Sequence, residues 1–192
     1  MPRAGLTTAA VVAAGAALAD EVGFHNLTMG LLAERLGVRT PSLYKHVEGL
    51  ADLQHRIATL AGDDLAEAVG TAVQGLAGRD ALSAMANAMR AYVIAHPGAY
   101  TATVGAEISG EDDPLEVAGR RVIGSMSAVL RGYGIADDEM DHALRAVRSI
   151  LHGFAVLQAS NGFQWAADPD VSFAWMVDFV DRGLRVRSEA AR

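Results

Sequence analysis

The chain has 192 residues, a formal net charge of −7 and no cysteine. The missing cysteines exclude a disulfide scaffold, thiolate zinc sites, iron–sulfur clusters and a cysteine nucleophile, and they fit the reducing cytoplasm. With 51% hydrophobic and 20% charged residues, the composition is that of a chain with a core, not of a disordered one.

The charge is unevenly spread. Residues 1–60 set five basic side chains (Arg3, Arg35, Arg39, Lys45, Arg56) against five acidic ones (Asp20, Glu21, Glu34, Glu48, Asp52), so the −7 belongs to the remainder. A neutral opening third and an acidic body point to two tasks in one chain. Ala9–Ala19 is the longest strongly apolar stretch, with Arg3 before it and Ala17-Leu18-Ala19 at its end, the order of a secretory leader. It is Ala- and Gly-rich, its helical pattern continues through Val22, and it falls far short of the ~20 residues of a membrane helix. It is therefore expected to be the first helix of a folded domain, with no membrane role.

The pattern predicts an all-α chain of about nine helices. The first spans Thr7–Val22, with Val11, Ala14, Leu18 and Val22 inward and Gly23 as its stop. Thr28 caps a second helix that runs to Leu36, with Leu32, Ala33 and Leu36 inward, and Gly37 ends it. Thr40-Pro41 reads as cap plus first helical residue of a short third helix to Val47. Two short helices joined by a turn that begins with glycine make a helix-turn-helix.

A fourth helix, from Leu50 to about Val73, is long enough to link a head to a body. Further helices are expected over Asp80–Ala95, Ala99–Ile108 and Leu115–Arg131. Another begins at Asp137-Asp138-Glu139, acids suited to a helix N-terminus, and ends at Ser160. Asp168-Pro169 starts the last, which reaches about Arg187. The domains read as residues 1–50, which hold the helix-turn-helix, and residues 51–192, the helical remainder.

Chemistry concentrates in Leu27 to Val47. There Val38, Leu43 and Val47 plug a small core, Ala33 lets two helices approach, and Gly37 supplies a positive φ. Arg39, Thr40, Ser42, Tyr44, Lys45 and His46 are left facing outward. These side chains bond phosphates and base edges, and Pro41 offers an apolar contact for a thymine methyl.

Over about residues 7–60 this sequence resembles the TetR family of bacterial transcriptional regulators, from Ala-Leu-Ala-Asp-Glu-Val-Gly-Phe through Leu-Tyr-Lys-His-Val. The resemblance implies a three-helix DNA-binding domain on a helical body. It further implies a homodimeric repressor on a pseudo-palindromic operator, released by a small molecule. DNA-contacting positions of the family match Thr28, Arg39, Thr40, Pro41, Ser42, Tyr44, Lys45 and His46. Two departures stand out: Met29-Gly30 where the family is often basic, and Glu48-Gly49-Leu50 where a phosphate-binding lysine is usual. The N-terminal arm adds only Arg3 and the terminal amine. Fewer cations predict modest salt dependence.

The body resembles the branch of the family with a Trp-His-Gly motif, here Leu151-His152-Gly153 without the tryptophan. Met85, Met89, Tyr92, Tyr100, Ile123, Met126, His152, Phe154 and Gln158 are the candidates for a hydrophobic effector's pocket, although residues of these types at helical spacing also build cores. Phe154, Leu157, Phe173, Trp175, Met176, Phe179 and Val180 are too many large apolar groups for a solvent-facing chain end; two helices per chain would make a four-helix dimer interface. Leu157, Phe173, Met176, Phe179 and Val180 are the interface positions.

Two other classes compete. Glu139-Met140-Asp141-His142 resembles half of a two-metal carboxylate site, but the spacing is not repeated, and no phosphate loop, nucleophile elbow or HExxH motif is present. No enzyme activity, metal or cofactor is therefore expected. A helical protein-interaction adaptor with weak DNA binding would also account for the missing cations.

Overall fold

The protein is described by a computed structural model covering residues 6–190, so the expected contribution of Arg3 and the terminal amine lies outside the described residues. Among those residues the chain is all-helical, with nine α-helices, one short 3-10 turn and no strand. Contacts divide it into two compact units. Among the described residues, one comprises those up to Asp63 together with His96–Val117; the other comprises Asp64–Ala95 and those from Ala118 onward.

In the first unit, α1 spans Thr8–Val22, and the Thr7 hydroxyl accepts from Ala10 N as its N-cap. Its buried stripe is Val11, Val12, Gly15, Leu18 and Ala19; Ala14 and Val22, expected inward, are only half-buried. Gly15 explains the rotation. A Cβ there would stand 3.1 Å from both Leu53 and Ile57 of α4 (Leu50–Ala72), so the close approach follows the glycine. Gly23, at φ 87°, ends α1 by donating to Ala19 O, and a 3-10 turn over Phe24–Asn26 follows.

The sixth helix, α6 (Pro97–Thr103), lies against α1 in the same unit. It starts two residues earlier and stops five earlier than the sequence predicts. Gly98 makes the approach possible, because a Cβ there would collide with the carbonyl of Ala19. Asp20 completes the joint. Its Oδ1 accepts from Gly98 N and Ala99 N, each at 2.8 Å, and Oδ2 meets His96 Nδ1 at 3.2 Å. A carboxylate 78 residues away in sequence thus caps a helix with no side-chain cap of its own.

In the second unit, α5 (Gly78–Ala95) packs on α8 (Met140–Ala159) and on α9 (Pro169–Ala190). Leu82, Met85, Ala86, Met89 and Val93 form the buried face of α5, and α8 answers with Leu144, Val147, Leu151 and Ala155. The seventh helix, α7, spans Pro114–Arg131. The α8 helix begins three residues later than expected, because Asp137–Glu139 form a turn closed by Glu139 N on Ala136 O. Asp168 caps α9 as expected, its Oδ1 accepting from Asp170 N at 2.7 Å. No described helix is long and apolar enough to cross a membrane.

Candidate nucleic-acid interface

The reading head is built from caps and two glycines. Thr28 Oγ1 accepts from Leu31 N and starts α2 (Met29–Leu36). Gly37, at φ 65° and ψ 31°, ends α2 in the left-handed region, and Val38 N donates to Ala33 O behind it. This pairing satisfies the last carbonyls of α2 and aims the chain into α3 (Thr40–Leu43). Leu32 and Leu43 are fully buried, Ala33 and Val47 nearly so, while Val38 and Leu36 are half-buried. Burial of Leu43 alone stabilises the head by about 2 kcal/mol.

The third helix differs from its expected form. Arg39, not Thr40, is the extended capping residue, and the turn closes when Ser42 N donates to Arg39 O at 2.8 Å. Thr40 already has helical backbone, so Pro41 sits in the second position. Beyond Leu43 the chain continues as a turn, with His46 N and Val47 N both donating to Leu43 O.

This geometry places the eight expected contact residues on the outside of one local structure. Thr28, Arg39, Pro41, Tyr44 and Lys45 are exposed; Thr40, Ser42 and His46 are half-exposed. Tyr44 is 54% exposed, unusual for a tyrosine beside a fully buried leucine. Charge pairing singles out two cations. Arg35 is held by Glu21 at 2.5 and 2.8 Å, and Arg56 by Asp52 at 2.8 Å. Arg39 and Lys45, on either side of Tyr44, pair with no carboxylate among the described residues. The Arg35 guanidinium also holds the Glu21 carboxyl below its usual range.

A second cluster in this unit has no signature in the sequence. A cavity of about 710 Å³ opens between the 3-10 turn, the start of α4 and the segment after α6, with Phe24, His55, Ile108 and Asp113 among its walls. The Asp113 side chain is 1% exposed, accepts from Ser109 N, Ser109 Oγ and Leu115 N at 2.9 Å each, and meets His55 Nε2 at 3.0 Å. The Ser109 amide is the main cause of an Asp113 pKa lowered to about 2; burial opposes it, and Leu115 N–H adds to it. A carboxyl more acidic when folded than unfolded contributes stability above its ordinary value of 3.8 and loses it as pH falls toward about 2. We expect the amides of Ser109 and Leu115 to titrate near pH 2 by NMR; a midpoint near 4 would contradict these bonds.

The effector candidates are scattered. Met85, Met89 and Met126 are buried in the second unit's core, whereas Tyr92, Ile123, His152, Phe154 and Gln158 are half-buried there. Tyr100 is buried in the first unit. Burial, and then the charge of Arg148, lowers the His152 pKa and favours its neutral form. Of the interface candidates, Leu157 and Phe179 are exposed and Met176 is half-buried. Phe173 and Val180 point into the protomer's own core, because α9 turns its Phe173-Val177-Val180-Leu184 stripe inward. Val171 and Trp175, 68% and 63% exposed, take the outward stripe with Phe179. Glu139 and Asp141 are engaged by Arg187 and Arg145, and no group of three His, Asp or Glu among the described residues is placed to hold a metal.

Residues 11–48 match the family of bacterial regulatory proteins described as tetR family, and residues 82–180 match the tetracyclin repressor-like C-terminal domain. The uncharacterized HTH-type transcriptional regulator Rv0681 of Mycobacterium tuberculosis is 32% identical over 95% of this chain and 84% of its own. Among solved structures, BioQ with its double-stranded DNA operator has a TM-score of 0.71 at 23% identity, over 95% of this chain and 99% of that one. A TetR variant from Acinetobacter baumannii AYE in complex with minocycline has a TM-score of 0.71 at 26% identity, over 96% and 99%. Matched at both its helix-turn-helix and its helical body, the chain belongs to the TetR family of transcriptional regulators.

Proposed function

We propose that the chain is a cytoplasmic, homodimeric repressor that reads a pseudo-palindromic operator with Thr28, Arg39, Thr40, Pro41, Ser42, Tyr44, Lys45 and His46. The observation that carries this is the pair of cations, Arg39 and Lys45, that have no carboxylate partner among the described residues and flank an exposed Tyr44 at the end of α3. Cations without internal carboxylates are available to phosphates, and an exposed aromatic phenol between them is available to a base edge. The solved BioQ structure is a complex with an operator, which supports the same use of the fold here. An acidic body orients the head by repelling DNA from the rest of the molecule.

Lys45→Ala is expected to weaken binding alike on all DNA sequences and to lower the salt slope of log K by about one. Fluorescence anisotropy at several salt concentrations measures this. An unchanged slope removes Lys45 from the phosphate contacts.

The dimer rests on the outward stripe of α9. Val171, Trp175 and Phe179 recur every four residues, the Trp175 and Phe179 rings stack 5.6 Å apart, and Leu157 of α8 is also half exposed. A contiguous apolar stripe on the last helix suits a twofold interface with the same stripe of a second copy. Trp175→Glu combined with Phe179→Glu is expected to give a monomer by light scattering at micromolar concentration and to lose operator binding. A wild-type monomer would overturn both the dimer and the palindrome.

The domain roles follow: residues 1–50 read DNA, and residues 51–192 bind effector and dimerise. The half-buried Tyr92, Ile123, His152, Phe154 and Gln158 are the candidates to receive a small hydrophobic effector, with Met85, Met89 and Met126 behind them. The minocycline complex of the A. baumannii protein supports a small-molecule effector. The effector acts by preferring a state in which the two heads no longer match the operator.

A further inference from the structure

In the second unit, a cleft of about 310 Å³ runs between α5 and α9. Arg79, Ser83, Asn87 and Arg90 of α5 line it, spaced so that all four lie on one helical stripe, and α9 contributes Asp170 and Phe173 among others. Arg90 is the unusual member. Its guanidinium lies 4.5 Å from the centre of the Phe173 ring and 5.7 Å from that of Phe154, and its side chain is only 12% exposed. Gln158 Oε1 fixes its orientation by accepting from Nε at 2.7 Å.

A guanidinium carries five N–H donors. Two are used here, Nε on Gln158 and one Nη2 hydrogen on Asp170 Oδ1 at 2.5 Å. The Nη1 hydrogens bond to no described residue. The partner on the outer edge is therefore one carboxylate, making a single bond from a side chain that is 79% exposed. An ion pair built only to fasten two helices would bury its acid with its base. Here the base is fixed and enclosed by aromatic rings, and the acid is loosely placed at the cleft's edge.

We propose that this cleft binds a small organic carboxylate, whose two oxygens take the Nη1–Nη2 edge of Arg90 in place of Asp170. The fork geometry of a guanidinium matches a carboxylate held by two parallel bonds, and the aromatic rings keep the fork aimed. The exposed Ala174 receives the ligand's apolar part, with buried Phe173 and Val177 as the floor beneath it, while Ser83 and Asn87 face its polar substituents. Asp170 is the built-in competitor, an exposed group whose displacement costs little.

Benzoate is the probe, with benzyl alcohol as its neutral counterpart at matched ionic strength. Calorimetry and the Arg90 Nε–H resonance report binding on the free dimer without DNA, so a failure of operator binding leaves this site standing. Benzoate is expected to bind saturably and to shift the Nε–H resonance, and benzyl alcohol is not. Asp170→Asn, an exposed change that leaves the fold intact, is expected to tighten benzoate two- to fivefold by removing the competitor. Arg90→Lys, which keeps the charge and loses the fork, is expected to weaken it at least tenfold. The site is overturned if benzoate fails to saturate in both wild type and Asp170→Asn. Equal binding of benzyl alcohol, or no tightening in Asp170→Asn, overturns it as well.

Discussion

Tyr44→Ala is expected to remove sequence-specific DNA binding and to leave the folded dimer unchanged. The side chain is more than half exposed, so its truncation opens no cavity and stability moves by less than about 0.5 kcal/mol. The loss falls on recognition. Tyr44 occupies the C-cap of α3, between Arg39 and Lys45, which pair with no carboxylate among the described residues, and a base contact is worth about 1–3 kcal/mol of discrimination. With two free cations in the described head, phosphate neutralisation adds less than in a strongly basic head, so base contacts carry more of the specific affinity. Gel shift on operator and on unrelated DNA separates the two: the first is expected to weaken about tenfold or more toward the second. Retained operator affinity would place the recognition surface elsewhere.

Gly98→Ala is expected to be the most damaging single methyl in the protein. Alanine favours a helix over glycine by about 1 kcal/mol, so local propensity predicts stabilisation. The opposite is expected, because the added Cβ would collide with the backbone carbonyl of Ala19, which has no rotamer by which to yield. Overpacking against fixed atoms costs about 1–3 kcal/mol or more, and here α6 must lift from α1 and surrender both amide bonds to Asp20. Asp20→Ala, which loses the cap and keeps the contact, is expected to cost about 1–2 kcal/mol. Urea denaturation of the two variants gives their order. A Gly98→Ala protein as stable as wild type would mean that α6 does not approach α1 this closely.

These two residues also mark how far the sequence could be read. The head was legible because its determinants are local. Thr7 and Thr28 cap helices within three residues of themselves, and Gly37 sets its own turn. Helix boundaries shifted where a neighbour decided them. Arg39 took the cap from Thr40 because the turn closes on its carbonyl, and α1 turned its stripe toward Gly15 because α4 lies there.

Partners distant in sequence left no such trace. Asp20 reads as one acid in an ordinary helix, and Gly98 reads as punctuation after a proline, until α6 is seen against α1. Likewise the spacing of Arg79, Ser83, Asn87 and Arg90 sets them on one polar stripe of α5, and only α9 shows that they line a cleft. Hydrophobic count alone could not divide α9 either. Phe173 and Val180 serve the protomer core, and the stripe offset from it by two residues, Val171, Trp175 and Phe179, is the exposed one.

Within a head whose formal charges balance, Glu21 and Asp52 neutralise Arg35 and Arg56, and Arg39 and Lys45 pair with no carboxylate among the described residues. Selecting fragments of the source genome with the purified protein and sequencing those retained tests whether this head reads a symmetric operator. An inverted repeat with half-sites spaced for a twofold dimer is expected. Retention of fragments with no shared motif, or of none above background, would contradict it.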